Sequence, residues 1–332
     1  MGLEDIRSMI FESQDFDFEE LALDVFRIQS KENEVYKNYL HHLKINPESI
    51  KSIDEIPFLP VEFFKYHSVK TGNWKEDAYF LSSGTTDVQR SKHFIKNIHD
   101  YRQVTEICLR SFIPDLSEYS IFALLPGYIQ NQHSSLIEMV RHFIGSSSKT
   151  NSTERIFEDF DLLHQALEKE KSKGSKILLF GVSFAMMDFG EIYTFDHDQL
   201  TIIETGGMKT HKRDFSKEQI LENIQHNFPQ SLIYSEYGMT EMMSQAYARD
   251  GLRYSLPPHA RVFIRNSEDP FGEFLIDRQG RVNVIDLANL NSCCFLETAD
   301  LGVSNSNLQF NILGRIQNAS IRGCNLMYEE LG

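Results

Sequence analysis

Residues Ser231 to Glu241 read SLIYSEYGMTE, an apolar and aromatic run that stops at Tyr237-Gly238 and passes directly into Met239-Thr240-Glu241. The run has the composition of a buried strand. In an open α/β sheet, ligands lie beyond the carboxyl ends of the strands, so such a junction suits a binding site. A tyrosine face can stack, a glycine lets the backbone approach closely, and a hydroxyl and a carboxylate can serve a phosphate and Mg2+. The same residues also fit a plain strand-to-helix turn, with Thr240 as an N-cap and Glu241 complementing a helix dipole.

Upstream of this junction, strands and helices alternate. Ser216-Lys217-Glu218-Gln219 is a capping box that opens the helix QILENIQHNF. Before it come the apolar strand KILLFG (176–181) and a charged helix near 153–173. Earlier still lie the helix SSLIEMVRHFIG (134–145), with a Ser start and a Gly stop, and the strand YSIFALLPG (119–127). The alternation predicts a βαβ-type sheet. After Pro257-Pro258 the pattern changes to short β-rich runs, RVFIR, GEFLIDR, RVNVIDL, SCCFLETAD and LQFNILGR, which predict an antiparallel meander. The first 75 residues read as helical, with apolar residues at helical spacing from Asp17 to Leu43. The expected fold is therefore α/β. A helical N-terminal segment (1–75) precedes one continuous core (76–332) that ends in a β-rich lobe at 257–332.

Composition removes several classes of function. The 332 residues carry 33 Lys plus Arg and 48 Asp plus Glu, a formal charge of −15 that repels nucleic acid and anionic membrane surfaces. An apolar share of 41% and a charged share of 24% suit a chain with a real core. The acidic start lacks the order of a secretory signal, and no run approaches the roughly 18 apolar residues of a membrane span. Cys108, Cys293, Cys294 and Cys324 form no disulfide framework and no paired metal spacing. Cys293 and Cys294 read as structural residues of an apolar strand. A cytoplasmic protein with reduced thiols is expected.

Two further groups carry chemistry. Leu81-Ser82-Ser83-Gly84-Thr85-Thr86-Asp87 is dense in hydroxyl and N–H donors and can cradle a phosphate, although Ser and Thr also favour ordinary surface turns. Thr298-Ala299-Asp300-Leu301-Gly302 with Gly314-Arg315 can offer an aspartate at a turn to both hydroxyls of a ribose, and a cation to the same sugar. Separately these are an Asx turn and a hairpin cation.

Taken in order, SSGTT, YGMTE, TADLG and GRIQNASIRG resemble the phosphate-loop, adenine-and-magnesium, ribose and hinge motifs of the adenylate-forming superfamily. Gly206-Gly207 falls where that superfamily places a segment beside the adenine. LLPGYIQNQHSSLI, GVSFAMMDF, ETGGMKTHKR, SEYGMTEMMSQAY and IRGCNLM are closest to the acyl-protein synthetases. That family includes the synthetase component of the bacterial bioluminescence fatty-acid reductase. The resemblance covers roughly residues 50 to 332. It implies a large adenylate-forming body and activation of a fatty or other carboxylic acid with ATP and Mg2+. It also implies transfer of the acyl group to a thiol near the C-terminus for a reductase or carrier-protein partner. By position, Ser82, Ser83, Gly84, Thr85 and Thr86 would hold the phosphates, Glu241 the metal and Thr240 the α-phosphate. Gly206, Gly207, Tyr237 and Gly238 would meet the adenine, and Asp300 and Arg315 the ribose.

Departures from the pattern are Asp87 in place of a second Gly in the phosphate loop and Gln317 at the hinge. The usual small C-terminal domain with its adenylation lysine is expected to be missing, which leaves Lys209, Lys212 and Arg213 as local cations. Cys324 is the acyl acceptor that the resemblance implies, and neighbouring Arg322 favours its thiolate. Two alternatives stay open. Gly181-Val182-Ser183-Phe184-Ala185 follows a strand as a hydrolase nucleophile elbow does, with His211, His226 or His259 available as base. A nucleotide-binding scaffold without turnover is the other.

Overall fold

The computed structural model describes residues 2–13, 15–83, 89–147, 155–206 and 215–316. In chain order, helices α1 (Leu3–Ser8), α2 (Phe18–Glu32) and α3 (Glu34–His42) precede strand β1 (Leu59–Pro60) and the short helix α4 (Phe63–Tyr66). Strands β2 (Ala78–Leu81) and β3 (Lys92–Ile95) flank the Ser/Thr loop, and α5 (Ile98–Arg110) follows. The middle of the chain alternates. It runs β4 (Tyr119–Leu124), α6 (Ser135–Ser146), β5 (Ile156–Phe157), α7 (Phe160–Lys171), β6 (Lys176–Val182), α8 (Ser183–Ile192), β7 (Leu200–Thr205), α9 (Lys217–Asn227), β8 (Leu232–Tyr237) and β9 (Ala246–Ala248). The last strands are β10 (Ala260–Arg265), β11 (Gly280–Asp286), β12 (Phe295–Ser304) and β13 (Phe310–Arg315). No helix among the described residues is long and apolar enough to cross a membrane.

The chain divides into two compact units. The first takes Met1–Val104, Thr240–Ser244 and Leu256–Gly332, and the second takes Thr105–Met239 and Gln245–Ser255. The N-terminal helices and the β-rich C-terminal run thus share one unit, and the YGMTE motif is divided between units after Met239.

In the second unit, six strands lie in the order β5-β4-β6-β7-β8-β9, parallel through β8, with β9 antiparallel at one edge. All six residues of β7 and six of seven in β6 are buried, as expected for strands of a parallel sheet covered on both faces. The intervening helices start where the sequence predicts. Ser134 caps α6, and the Ser216/Gln219 capping box opens α9.

In the first unit, β10, β11, β12 and β13 form the predicted antiparallel meander, and β1 adds to β12 in parallel. The GEFLIDR run is not a strand. It contributes one isolated bridge, Leu275 to Ile264, and Asp277 takes a positive φ of 54° that a regular strand excludes. TADLG is not a turn either but lies inside β12. Cys293 and Cys294 precede that strand rather than sitting in it. The Asp17 to Leu43 helical run breaks at Asn33, which leaves helical geometry (φ −94°, ψ 105°) and caps α3 with its own side chain. Helix α2 buries Phe18, Leu21, Ala22, Val25 and Phe26, and its Gln29 reaches the segment before β12. The Gln29 amide donates to the carbonyls of Leu290 and Ser292 at 3.1 and 3.2 Å, and its oxygen accepts from Cys294 N at 2.9 Å.

Candidate active site

Strands β2 and β3 pair antiparallel, with Leu81 opposite Lys92, and so hold the two ends of the Ser/Thr loop together. Ser82 and Ser91 close its base: Ser82 N donates to Ser91 O at 3.1 Å, and Ser91 N donates to the Ser82 hydroxyl at 3.0 Å. Burial alternates across Ser91, Lys92, His93, Phe94 and Ile95, so Ser91 and His93 face inward together. The Ser91 hydroxyl bonds the Glu241 carboxylate. Arg315 also acts electrostatically on Glu241, while its Nε donates to Asp300 Oδ1 at 2.9 Å. That last contact follows from sheet register, because Asp300 in β12 lies directly opposite Arg315 in β13. Within the first unit, the loop base is thus joined to the Thr240-Glu241 turn, and the Asp300/Arg315 pair lies within electrostatic reach of Glu241.

Glu241 is 7% exposed. Burial pushes its carboxyl pKa up, and Glu62 pushes the same way; the Ser91 hydroxyl bond and the Arg315 charge only partly oppose them. A buried carboxylate short of positive charge fits a hard cation, and Mg2+ commonly takes only one or two protein carboxylates, filling its shell with phosphate oxygens and water.

The turn that carries Glu241 is gripped by side chains. His93 Nδ1 lies 2.8 Å from the Thr240 carbonyl, and Asn289 Nδ2 donates to the Glu241 carbonyl at 2.8 Å. Asp286 accepts from the N–H groups of Met243 and Ser244, each at 2.9 Å, and from the Ser244 hydroxyl at 2.7 Å. His93 Nε2 faces Asn289 Oδ1 at 3.0 Å. Two facing oxygens favour the charged imidazolium, whereas full burial favours the neutral ring. Burial wins and holds the pKa down to about 4. Neither facing oxygen can donate, so the single N–H of the neutral ring serves either the Thr240 carbonyl or Asn289 Oδ1.

In the second unit the polar groups gather at the carboxyl ends of β6, β7 and β8. Gly206 follows β7 with a φ of +85°, a conformation favourable to glycine. Its carbonyl accepts from the Ser183 hydroxyl at 2.9 Å. Ser183 also donates to Glu204 Oε2 at 2.6 Å, and Glu204 pairs with Lys217. Burial lowers the Lys217 pKa, but Glu204 and Tyr254 more than offset it, and the net shift is upward. Glu236 accepts from the Thr205 hydroxyl, and burial raises its pKa to about 7. A Cβ at Gly238 would lie 2.7 Å from Glu236 Oε1, at the end of a side chain that would have to shift. The Tyr237 ring is half-buried, 5.8 Å from the Tyr254 ring.

Among the described residues, nothing arranges Ser183 as a hydrolytic nucleophile. Its φ is not positive, and its proton goes to a carboxylate and a carbonyl rather than to a histidine base. His226 lies in α9 and His259 is buried against Ser244, in the other unit. Gly84, Thr85, Thr86, Asp87, Gly207, Lys209, His211, Lys212, Arg213, Gln317, Arg322 and Cys324 lie outside the described residues, and Ser83 is exposed beside the loop. Cys293 and Cys294 are fully buried, and burial pushes the Cys293 thiol up to about 12, in keeping with inert structural cysteines. Sequence reasoning missed Ser91, His93, Asp286 and Asn289. The only trace of the first two is the alternation in SKHFI.

The fold is that of adenylate-forming ligases. A structure of 2-hydroxyisobutyryl-CoA ligase with 2-HIB-AMP and CoA matches over 90% of this chain and 70% of its own, with a TM-score of 0.67 and 11% identity. ATP-bound MatB from Rhodopseudomonas palustris matches over 74% of this chain and 50% of its own, with a TM-score of 0.54 and 16% identity. A long-chain-fatty-acid-CoA ligase (FadD1) from Archaeoglobus fulgidus matches over 72% and 51%, with a TM-score of 0.50 and 14% identity. Comparison with curated proteins found no match. The model of the acyl-protein synthetase family LuxE matches residues 7–331, and the chain belongs to that family. Membership makes it an ATP-dependent ligase that activates an acid as its acyl-adenylate.

Proposed function

We propose that the protein joins a fatty or other carboxylic acid to ATP as an acyl-adenylate and then passes the acyl group to a thiol, its own Cys324, for delivery to an acyl reductase or carrier protein. The observation that best supports this reading is that Ser82 bonds Ser91, Ser91 bonds Glu241, and the charge of Arg315, paired with Asp300, acts on Glu241. Three motifs distant in sequence thereby lie within electrostatic reach of one another, as binding of the phosphates, metal and ribose of a single nucleotide requires.

In the first step a carboxylate oxygen of the acid attacks the α-phosphorus of ATP. The P–O bond to the β-phosphate breaks, and pyrophosphate leaves with the electron pair. Ser82, Ser83, Gly84, Thr85 and Thr86 supply phosphate donors, Thr240 contacts the α-phosphate, and Asp300 and Arg315 hold the ribose. Gly206, Gly207, Tyr237 and Gly238 face the adenine. Glu241 would hold Mg2+, which offsets the charge gathering on the leaving pyrophosphate. Donors aimed at charge that develops only in the transition state accelerate the step. In the second step the Cys324 thiolate attacks the acyl carbon, the thioester forms and AMP leaves; the thiol proton is lost to solvent beforehand.

The test uses labelled fatty acid, ATP and Mg2+. Pyrophosphate release that depends on the acid is expected, with label on the protein in a hydroxylamine-sensitive bond. Glu241→Ala should lower release by at least about 100-fold, and Cys324→Ala should abolish the label while sparing release. Label persisting in Cys324→Ala would overturn the cysteine acceptor, and ATP turnover indifferent to added acid would overturn the adenylation.

A further inference from the structure

The geometry points to His93 and Asn289 as positioning residues that aim the Glu241 carboxylate by fixing the peptide planes on either side of it. The inference rests on the proposed role of Glu241 toward a metal–nucleotide. His93 holds the Thr240 carbonyl and Asn289 the Glu241 carbonyl, each at 2.8 Å. These two carbonyls belong to the planar peptides that precede and follow the Glu241 Cα. With both planes set, φ and ψ of Glu241 are set, and so is the direction of its Cα–Cβ bond. Asp286 holds the next donors, Met243 N and Ser244 N, so the turn is fixed from Thr240 to Ser244.

The holders are themselves rigid. His93 and Asn289 are 1% and 2% exposed. The Asn289 amide spends its second hydrogen on the Cys293 carbonyl at 3.0 Å, and its oxygen faces His93 Nε2. The Phe64 ring packs edge-on to the imidazole at 5.7 Å. Ser91, two residues before His93 and on the same face, bonds the carboxylate itself. One strand edge thus controls both the backbone direction and the side-chain end of Glu241. Partners that orient a metal ligand in this way commonly contribute 10–100-fold to metal affinity.

Two near-isosteres separate this role from packing. In His93→Asn the amide nitrogen stands close to the former Nδ1 and can still donate to Thr240. In His93→Gln it reaches the former Nε2 and cannot. Mn2+ affinity, read by electron paramagnetic resonance with a non-hydrolysable ATP analogue present, should weaken about 10–100-fold in His93→Gln and less than about threefold in His93→Asn. Asn289→Leu should weaken it as His93→Gln does. Equal losses in the two His93 variants, or none in either, would overturn the inference. Should His93→Gln lose its cooperative melt, Asn289→Leu decides, and wild-type Mn2+ affinity there overturns it. Failure of the parent reading looks different: the wild type itself would show no nucleotide-dependent Mn2+ site and no acid-dependent pyrophosphate release.

Discussion

Glu236 and Glu241 stand five residues apart, and both are buried carboxyls with raised pKa values, yet their surroundings differ. Glu241 meets the Ser91 hydroxyl and the Arg315 charge, whereas Glu236 meets the Thr205 hydroxyl beside Glu204 and Lys217. For Glu236 the folded pKa of about 7 lies above the ordinary glutamate value of 4.5, so the folded state binds more protons than the unfolded state in that window. Stability carried by the protonated acid is whole below about 4.5 and is lost as pH rises through 7. Glu236→Gln removes that loss. Compared with the wild type, the variant should gain about 3 kcal/mol in urea-denaturation stability as pH is taken from 4.5 to 7.5. A stability difference independent of pH would show that Glu236 titrates as an ordinary exposed carboxyl. None of this was legible in SEYGMTE, because a carboxyl's pKa is set by neighbours supplied from other strands.

At the scale of elements, helix α2 reaches the candidate site through intermediates. Gln29 braces the 289–294 segment, Asn289 in that segment holds the Glu241 carbonyl, and Asn33 adds a bond to the Ser292 carbonyl at 2.8 Å. The N-terminal helices show no motif, and their contribution became visible only with these contacts. Gln29 is wholly buried, and Gln29→Leu leaves the Leu290 carbonyl and the Cys294 N–H without their partner, while Ser292 keeps its bond from Asn33. The substitution should cost about 3 kcal/mol in urea denaturation. A loss below roughly 1 kcal/mol would mean that the segment finds other partners. Strand and helix positions in the middle of the chain were readable, since continuous apolar runs and capping residues are local signals. GEFLIDR misled because Phe274, Leu275 and Ile276 have strand composition without a full ladder to join; Phe274 instead stacks on Phe263 at 4.4 Å.

For the whole molecule, a ligand that binds only the folded chain raises its melting temperature in proportion to RT ln(1 + [L]/Kd). ATP with Mg2+ at a hundredfold excess over Kd should raise it by about 4 °C. In Glu241→Gln, adding Mg2+ to ATP should give no further rise, and differential scanning calorimetry checks both statements. An equal Mg2+ increment in wild type and variant would remove Glu241 from metal binding. The sequence by itself determined the α/β class, the alternating parallel strands, the C-terminal meander and the family, because periodicity, capping and ordered motifs are written locally along the chain. Only the tertiary structure decided that Asp300 lies opposite Arg315, that Ser91 bonds Glu241, and that His93, Asp286 and Asn289 grip one turn. Those pairings join residues up to about 150 positions apart, and such contacts are set by strand register and side-chain burial, which no local pattern records.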